Sequence, residues 1–255
     1  MNFEDHLSAV VTGAASGLGA AVAKKLGQNG VKVAILDRDN EAGSVMAGEV
    51  GGIYVECDVS NPDNVSSALE TARSRHGQER ICVNCAGIAM TKSVLSGDQP
   101  HDPELFERIV RVNLLGTFNM ASQSAAGMAK TESINTDGER GVIINTTSIA
   151  ALDGPMGYTA YCASKAGVAG MTLPMARDLA SKGIRVLAIA PGMFDTPMAS
   201  QIPADVKSKV EESIPFPQRT GEPAEFAALV VHCIENRMLN GEVIRIDGAW
   251  RMPPR

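Results

Sequence analysis

The sequence lacks the features that mark several classes of protein. It has no cluster of lysine and arginine, and its formal net charge is −6 over 255 residues, which argues against a nucleic-acid-binding surface. No apolar run approaches the roughly 20 residues that a membrane-spanning helix needs. Residues 1–8 contain two acidic side chains and no basic one, so we expect neither a secretory signal nor an arginine-rich transit peptide. We therefore expect a cytoplasmic protein with neither a membrane nor a nucleic acid as partner.

Cysteine is scarce, and the five cysteines are an odd number. Cys82 and Cys85 form a C-x-x-C motif, which in other settings marks a redox pair or a zinc site. However, residues 81–83 have the composition of a buried strand, on which residues three apart face opposite sides. No second C-x-x-C and no suitably spaced histidine accompanies the motif. We predict reduced, structural cysteines and no metal site.

Short apolar runs alternate with helical patterns along the whole chain, which predicts βαβ units around a parallel sheet. The apolar runs are nearly continuous, so we expect helices to cover both faces of the sheet. The fold class is therefore α/β: a single-domain Rossmann fold spanning residues 1–255, with a doubly wound, parallel, seven-stranded sheet. The predicted strands are residues 9–11, 31–36, 53–55, 81–83, 142–145, 184–190 and 243–246, and the predicted helices are 18–28, 41–48, 62–76, 103–129, 158–181 and 223–236.

One long segment, residues 193–220, interrupts this alternation. It contains four prolines and few helical signals, and it follows the predicted strand 184–190. Doubly wound sheets bind ligands at the carboxyl ends of their strands, and a long irregular connection in a compact domain is usually functional or disordered. We favour a loop that covers the substrate over simple disorder.

The turn between the first strand and the first helix has the pattern of a phosphate-binding loop. Gly13, Gly17 and Gly19 are spaced G-x-x-x-G-x-G, so the backbone can turn tightly and approach a pyrophosphate over the helix N-terminus. Ser16 and the amides of Gly17 and Leu18 are the expected phosphate donors. A tight turn without a ligand is the alternative.

Asp37 argues against that alternative, because it closes the second strand 24 residues after Gly13. A carboxylate there accepts hydrogen bonds from the adenosine ribose and repels a 2′-phosphate, which selects NAD over NADP. The neighbouring Arg38 complicates this choice, since a guanidinium could receive such a phosphate. Because position 16 is a serine rather than a basic residue, we predict NAD.

Other residues at carboxyl strand ends are predicted to contact the same cofactor. We expect Asp58 to accept a hydrogen bond from the adenine amino group, although it could instead cap a helix. The remaining predicted cofactor contacts are Val59, Asn84, Cys85, Ala86 and Gly87 near adenine and ribose, and Pro191, Gly192, Phe194 and Thr196 near the nicotinamide.

Tyr161 and Lys165 are the strongest candidates for chemistry. At i and i+4 on a helix, their side chains share one face. A cation that close favours the phenolate, so we expect Lys165 to lower the pKa of Tyr161 toward the working pH, as a general base requires. Alone, Y-x-x-x-K also occurs on many solvated helix faces. Its place after a nucleotide-binding start and a serine-bearing strand makes the catalytic interpretation the stronger one.

These elements together resemble the classical short-chain dehydrogenase/reductase family. The resemblance covers almost the whole chain, and Ser148 precedes Tyr161 by thirteen positions, as is usual there. It implies that Tyr161 takes the alcohol proton, that Ser148 holds the substrate oxygen, and that Lys165 holds the nicotinamide ribose. Tyr158 has no lysine four residues later, so we expect it to form a wall on the substrate side. Asn113 is expected to hold a proton-relaying water, or else to make a structural hydrogen bond at a helix bend.

A narrower resemblance points to the members of this family that oxidise L-3-hydroxyacyl-CoA thioesters. It rests on residues 140–146, 170–180, 215–219 and 240–249. It implies an NAD-linked homotetramer, with Ser16, Leu18, Asp37, Asp58, Val59, Cys85, Tyr161, Lys165, Phe194 and Thr196 around NAD. The chain departs from these relatives at residues 153–158, near the substrate, which leaves the preferred acyl length open.

Three alternatives stay open. A 3-oxoacyl-acyl-carrier-protein reductase using NADPH would favour basic residues at positions 16 and 37. A dehydrogenase of steroids or other secondary alcohols could share the same pocket. A nucleotide-binding scaffold would have no use for a perturbed phenol.

Overall fold

The computed structural model describes residues 1, 3 and 7–254, and its core is a seven-stranded parallel sheet. The sheet order is β3-β2-β1-β4-β7-β8-β9, and every neighbouring pair is parallel. Its strands are β1 (Ser8–Thr12), β2 (Lys32–Asp37), β3 (Ile53–Glu56), β4 (Ile81–Asn84), β7 (Gly141–Thr146), β8 (Ile184–Pro191) and β9 (Val243–Ile246). The predicted sheet is confirmed.

The sheet reverses its direction of growth between β1 and β4. The chain runs outward from β1 through β2 to β3, then returns to place β4 on the other side of β1. At such a switch point the loops at the carboxyl ends diverge and leave a crevice. The register pairs Thr12 with both Leu36 and Asn84, so the loops that follow β1, β2 and β4 begin at one level.

Helices cover both faces of the sheet. They are α1 (Gly17–Gln28), α2 (Asn40–Val50), α3 (Pro62–His76), α4 (Pro103–Val110), α5 (Gly116–Met128), α6 (Ala150–Asp153), α7 (Thr159–Leu179), α8 (Ala204–Ser213) and α9 (Pro223–Glu235). Along β7, Val142 and Ile144 pack into the core beneath α1 and α9, whereas Ile143 packs into the core beneath α3 and α5. Both faces of the strand are therefore dry, which explains its continuous apolar sequence.

The prolines at the starts of α3 and α9 occupy first-turn positions, where their missing amide costs nothing. The side chain of Asn61 accepts from the amides of Asp63 and Asn64 and caps α3. Glu222 and Glu225 form a reciprocal capping box on α9. Local capping therefore fixes where both helices begin.

Three features of the fold differ from the sequence expectation. The expected single helix 103–129 contains a π-helical turn, Arg111–Leu115, between α4 and α5. A short hairpin of β5 (Leu95–Ser96) and β6 (Gln99–Pro100) lies between β4 and α4. The segment 193–220, expected to be irregular, contains α8, and none of the α8 residues is buried. Without an apolar stripe facing a core, α8 leaves little periodic signal in the sequence.

A buried ion pair lies near the amino ends of the strands, away from the switch-point crevice. Arg185 donates from Nε to Glu139 at 3.0 Å, and both side chains are less than a tenth exposed. The same guanidinium donates to the carbonyls of Cys233 and Ile234, each at 2.7 Å, at the C-terminus of α9. It thereby satisfies carbonyls that a helix end leaves free.

Among the residues that the structure describes, no helix combines the length and the apolar character needed to cross a bilayer.

Candidate functional site

A cavity of about 900 Å³ opens at the carboxyl ends of the strands, over the switch point. Most of the sequence-predicted site residues line it, from Asp37 at one end to Tyr158 at the other. The predicted residues in its wall are Gly13, Ser16, Gly17, Leu18, Gly19, Asp37, Asp58, Val59, Cys85, Ala86, Gly87, Ser148, Tyr158, Tyr161, Lys165, Pro191, Gly192, Phe194 and Thr196. Asn84 and Asn113 do not reach this wall and are buried behind it.

The glycine turn is built by close backbone approaches. Gly13 and Gly17 have φ of +62° and +57°, in the left-handed region that favours glycine. A Cβ on Gly13 would lie 2.7 Å from the amide nitrogen of Ala86, and one on Gly19 would lie 2.2 Å from the Gly13 carbonyl. Only glycine fits at these two positions without a shift of the main chain.

The start of α1 faces the cavity beside this turn. Ser16 is the N-cap residue, but its side chain makes no capping hydrogen bond, and Ser16, Gly17 and Leu18 all line the cavity. The first amides of a helix lack intrahelical acceptors, and the helix dipole makes this end positive. The turn can therefore receive an anionic group such as a pyrophosphate.

Asp37 is fixed by the backbone around it. One carboxylate oxygen accepts from the amide of Ala15 at 3.0 Å, and the other from the amides of Arg38 and Asp39 at 2.7 and 3.1 Å. The carboxylate thus also bridges β2 to the glycine turn. It presents a fixed negative charge at the cavity end, with Arg38 beside it in the wall.

Asp58 is not the N-cap of α3, which corrects the alternative interpretation of this residue, because Asn61 holds that position. Its Oδ1 instead accepts from the amide and the hydroxyl of Ser60, at 3.0 and 2.7 Å. Burial acts to raise the pKa of Asp58, but these hydrogen bonds and the charge of Arg38 outweigh it, so the pKa is lowered. Asp58 is therefore an anionic acceptor in the wall.

Lys165 is buried at 4% exposure, and its Nζ donates to the carbonyl oxygen of Thr146 at 2.8 Å. Burial lowers its pKa to about 8. A Cβ on Gly87 would lie 3.4 Å from Nζ, so the backbone at Gly87 packs directly against the ammonium group. The lysine is held in one position by main-chain groups of β7 and the loop after β4.

The pKa of Tyr161 contradicts the sequence expectation. Burial raises it above the usual tyrosine value, and the hydrogen bond with Ser148 opposes that rise only in part. The Nζ of Lys165 lies 5.9 Å from the centre of the Tyr161 ring. Because this ammonium is directed at the Thr146 carbonyl, its field does not overcome the loss of solvation.

Asn113 lies in the π-helical turn and is fully buried. Its Oδ1 accepts from the amide of Ile88 at 2.8 Å, while its Nδ2 donates to the Ile88 carbonyl at 2.9 Å and to Ser164 Oγ at 3.1 Å. The side-chain amide is thus occupied in fixing the loop after β4 against α7. This matches the structural hydrogen bond considered from the sequence.

Asn84 is the second predicted residue outside the wall. Its Nδ2 donates to Asn145 Oδ1 at 2.9 Å, which links β4 to β7 inside the sheet. A side chain in this position supports the strand ends beneath the cavity.

The far end of the cavity, beyond Ser148, is aromatic and rich in methionine. Tyr158 meets Tyr161 edge to face, with ring centres 6.0 Å apart. Sequence analysis missed further wall residues, Ile88, Ala89, Met90, Thr91, Arg108, Val112, Ile149, Trp250 and Met252 among them. Residues 88–91 directly follow Gly87, which was a usable signal. No local pattern marks Trp250 and Met252, which reach the cavity only through the path of the chain after β9.

The five cysteines are unpaired in this structure. Burial raises the pKa of Cys82 to about 12 and that of Cys85 to about 11, so both thiols stay protonated. Within the described part of the chain, no three histidine, cysteine, aspartate or glutamate side chains are grouped to hold a metal ion.

Comparison with known proteins shows similarity along almost the whole chain. The short chain dehydrogenase family matches residues 8–207. The 3-hydroxyacyl-CoA dehydrogenase type-2 of Drosophila melanogaster is 49% identical over 249 residues, covering 96% of this chain and 97% of that protein. The human protein of the same name is 47% identical over 252 residues, covering 97% and 96%. The crystal structure of 3-hydroxyacyl-CoA dehydrogenase type-2 from Mycobacterium avium superposes with a TM-score of 0.94 at 40% identity, covering 99% and 98%.

A glycine turn over the switch point of a parallel sheet, sharing one cavity with a tyrosine and a buried lysine, is the arrangement of an oxidoreductase that uses a nicotinamide cofactor. The fold and the comparisons agree on this class. Within it, the chain belongs to the short chain dehydrogenase family.

Proposed function

We propose that the protein catalyses the reversible, NAD-dependent oxidation of L-3-hydroxyacyl-CoA to 3-oxoacyl-CoA. The observation that carries this proposal is the convergence of Ser148, Tyr161 and Lys165 in the cavity whose other end holds the glycine turn and Asp37. The relatives that share 46–49% of the sequence are named for the same reaction, which supports the choice of substrate class.

NAD fits the residues present. The glycine turn offers amides and a positive helix end to a pyrophosphate, and Asp37 offers a carboxylate to ribose hydroxyls. Asp58 is an acceptor suited to the adenine amino group. We also propose that Leu18, Val59, Cys85, Phe194 and Thr196 contact the cofactor, because all five lie in the cavity wall. The fixed negative charge of Asp37 disfavours a 2′-phosphate, which favours NAD over NADP.

When bound, the nicotinamide would accept the hydride from the carbinol carbon of the substrate. Tyr161 takes the hydroxyl proton as the C–H bond gives up its electron pair, so the alcohol loses a hydride and a proton and becomes a ketone. Ser148 donates a hydrogen bond to the reacting oxygen and holds it near the phenol. Positioned proton transfer of this kind contributes about 10²–10⁴-fold.

Lys165 serves this chemistry in two ways. Its ammonium would hold the nicotinamide ribose hydroxyls, and it adds positive charge on the side of the cavity where Tyr161 lies. Burial alone keeps the phenol protonated, since it raises the pKa of Tyr161, so little phenolate is available to accept a proton. The phenolate therefore depends on the cation at Lys165 and on the positive charge of the oxidised cofactor.

Asn113 is assigned a positioning role in this scheme. Its side-chain amide is engaged by Ile88 and Ser164, so a water that relays the proton would rest on the backbone of the π-helical turn rather than on the amide. π-Helical turns often occur at functional sites.

The rival activities make different demands on the same cavity. A reductase that uses NADPH requires a cation where Ser16 and Asp37 stand. A dehydrogenase of steroids or other secondary alcohols requires only the apolar end that Tyr158, Met193 and Met198 provide. A nucleotide-binding scaffold requires neither Ser148 nor Tyr161. The residues of the cofactor end favour the NAD-linked enzyme.

We further propose that residues 1–255 form a single domain in which the segment 193–220 covers the substrate. Thr196, Pro197, Met198, Ile202 and Pro203 from this segment line the cavity, which supports that role.

We also propose a homotetramer, with a dimer as the alternative. The side chains of Phe106, Leu115, Phe118 and Leu173 on α4, α5, α7 and the intervening turn are 37–49% exposed, which suits packing between subunits. Light scattering after size exclusion tests the assembly.

We propose a cytoplasmic location as well. The five unpaired cysteines support a reducing compartment such as the cytoplasm.

The test of the proposed function is a side-by-side assay of NAD reduction. The substrates are L-3-hydroxybutyryl-CoA, longer L-3-hydroxyacyl-CoA thioesters and estradiol, with 3-oxoacyl-acyl-carrier protein plus NADPH assayed in the reverse direction. We expect the thioesters to be oxidised fastest. Failure of every thioester beside rapid steroid oxidation would transfer the assignment to the steroid alternative. The Tyr161→Phe variant should lose turnover while it still binds NAD in calorimetry.

A further inference from the structure

The chain after β9 folds back and contributes to the cavity wall. Two residues of this C-terminal tail, defined as residues 247–254, line the cavity: Trp250 and Met252. Trp250 is the single tryptophan of the sequence and is only 4% exposed. A large aromatic side chain in the wall of a ligand cavity limits the size and shape of what the cavity accepts.

The neighbours of Trp250 place it at the substrate end. It packs in an apolar cluster with Ile149, Ala190 and Ile214, and Met193 and Met252 border the same cluster. Ile149 directly follows Ser148, the residue assigned to the reacting oxygen. Asp37 ends β2, which lies three strands away from β7 in the sheet, so the indole lies away from the Asp37 end of the cavity.

The tail is held in this position by an ion pair and by hydrogen bonds. Arg245 on β9 donates to both carboxylate oxygens of Asp153, at 3.0 and 3.1 Å, and to the carbonyl of Trp250 at 3.0 Å. The second oxygen of Asp153 also accepts from the amide of Met252 at 2.9 Å. A two-point guanidinium–carboxylate contact fixes direction as well as distance. Asp153 thereby ties the tail to the end of α6.

The turn before Trp250 is backbone-strained. Ala249 has φ of +65°, in the left-handed region that an alanine rarely adopts, and it follows Gly248 at +61°. Asp247 holds this turn through its Oδ1, which accepts from the Ala249 amide, and its carbonyl, which accepts from the Trp250 amide, both at 3.0 Å. Strain of this kind persists where the surroundings over-determine it, and it is concentrated near functional sites.

We propose that Trp250 sets the length of the acyl chain that the cavity accepts, with Arg245 and Asp153 as positioning residues that hold the indole in place. The proposal rests on the proposed function, since it concerns the acyl end of the same substrate. The indole closes the space beyond Ser148 into which a longer chain would extend. The proposal also gives a physical role to residues 153–158, where the sequence differs from the relatives that it resembles. In this segment the amide of Met156 donates to the carbonyl of Pro254 in the C-terminal tail.

The test is a size series at position 250: Trp250→Phe, Trp250→Leu and Trp250→Ala. Each variant is assayed for kcat/KM on L-3-hydroxyacyl-CoA thioesters of four, eight and twelve acyl carbons. Each newly accommodated methylene contributes about fourfold in affinity. We expect the ratio of kcat/KM for the long over the short thioester to rise in the order Phe, Leu, Ala, by about tenfold or more for alanine.

Met238→Ala is the matched control, because Met238 is 92% exposed and lies outside the cavity wall. The Asp153→Asn variant keeps the size of the side chain but weakens its bond to Arg245. We expect this variant to shift the preference for acyl length in the same direction as Trp250→Leu does. Its KM for NAD, measured with the short thioester as substrate, should stay unchanged. Melting temperature and NAD binding identify any variant that fails to fold, and the phenylalanine and leucine variants then carry the test.

An unchanged length profile in folded, NAD-binding Trp250 variants overturns this proposal and leaves the proposed function intact. A wild-type protein that oxidises no thioester overturns the proposed function itself. The two failures are therefore distinguished by the wild-type reaction alone.

Discussion

The Nζ of Lys165 lies 5.9 Å from the centre of the Tyr161 ring, yet it gives its hydrogen bond to the carbonyl of Thr146 rather than to the phenol. The two residues share a helix face, as the i, i+4 spacing requires. In this geometry burial dominates, so it raises the pKa of Tyr161 and lowers that of Lys165 to about 8. In this geometry the Tyr161 phenol therefore keeps its proton unless positive charge is added to the cavity.

The first prediction concerns this phenol. Because the pKa of Tyr161 is raised, its phenol should ionise at higher pH than an exposed tyrosine in the protein without cofactor, and NAD should bring the titration to lower pH. Ultraviolet difference titration of the wild type against Tyr161→Phe isolates the signal of this residue from the other tyrosines. A phenol that ionises below pH 10 without NAD would contradict the prediction.

The second prediction concerns cofactor choice at Asp37. Replacing Asp37 with alanine removes a charged hydrogen-bond acceptor, worth about 1.5–3 kcal/mol, so kcat/KM for NAD should fall by roughly ten- to a hundredfold. The NADP to NAD preference should rise, since Arg38 remains beside the vacated position. Asp39→Ala is the control, because Asp39 lies two residues farther along the chain, caps α2 and has an exposed side chain. Equal cofactor kinetics in the two variants would refute the role of Asp37.

The third prediction concerns the buried ion pair. Glu139→Gln leaves Arg185 buried without its full counter-charge, and breaking such a pair costs about 3–5 kcal/mol. Urea unfolding should show a loss approaching this size, whereas Arg237→Ala, which removes an exposed pair with Asp137, should cost about 0–1 kcal/mol. Because the pair lies opposite the cavity, the folded Glu139 variant should keep its KM for NAD. Equal losses in the two variants would contradict the assignment.

The fourth prediction concerns Asn113. Asn113→Ala leaves the amide and carbonyl of Ile88 without partners, at about 1–3 kcal/mol for each buried group. We expect lower stability and at least about a tenfold fall in kcat, with NAD binding largely retained, because the loop after β4 then loses its support. Gln123→Ala on α5 removes an amide that bonds a surface carbonyl and serves as the control. Unchanged kcat in a folded Asn113→Ala protein would exclude the positioning role.

The sheet was predictable because its central strands, β1, β4, β7 and β8, are buried on both faces. Continuous apolar runs located all seven strands to within two residues at each end, and Pro62 marked the start of α3 at its observed residue. The glycine turn was likewise predictable, since its function depends on local spacing. These signals are short-range, so they can be read from neighbouring residues in the sequence.

The rest depended on tertiary contacts that leave no local pattern. α8 buries none of its residues, so the sequence has no apolar stripe that would predict this helix. Trp250 reaches the cavity because a strained turn at Ala249 follows β9. In addition, Arg245 on β9 forms an ion pair with Asp153, which lies 92 residues earlier in the chain. The direction of the Tyr161 pKa depended on how deeply the phenol is buried, which spacing to Lys165 does not reveal.

The close approach between the glycine turn and the loop after β4 links the two ends of the cavity mechanically. The backbone at Ala86 and Gly87 lies between Gly13 on one side and the ammonium of Lys165 on the other. Gly13 is so close to Ala86 that no larger residue fits at position 13. A dinucleotide bound at Gly13, as proposed above, would therefore contact the same stretch of main chain that packs against the lysine. The glycine turn and the buried ammonium group are separated by two peptide groups only, so neither can shift far without displacing the other.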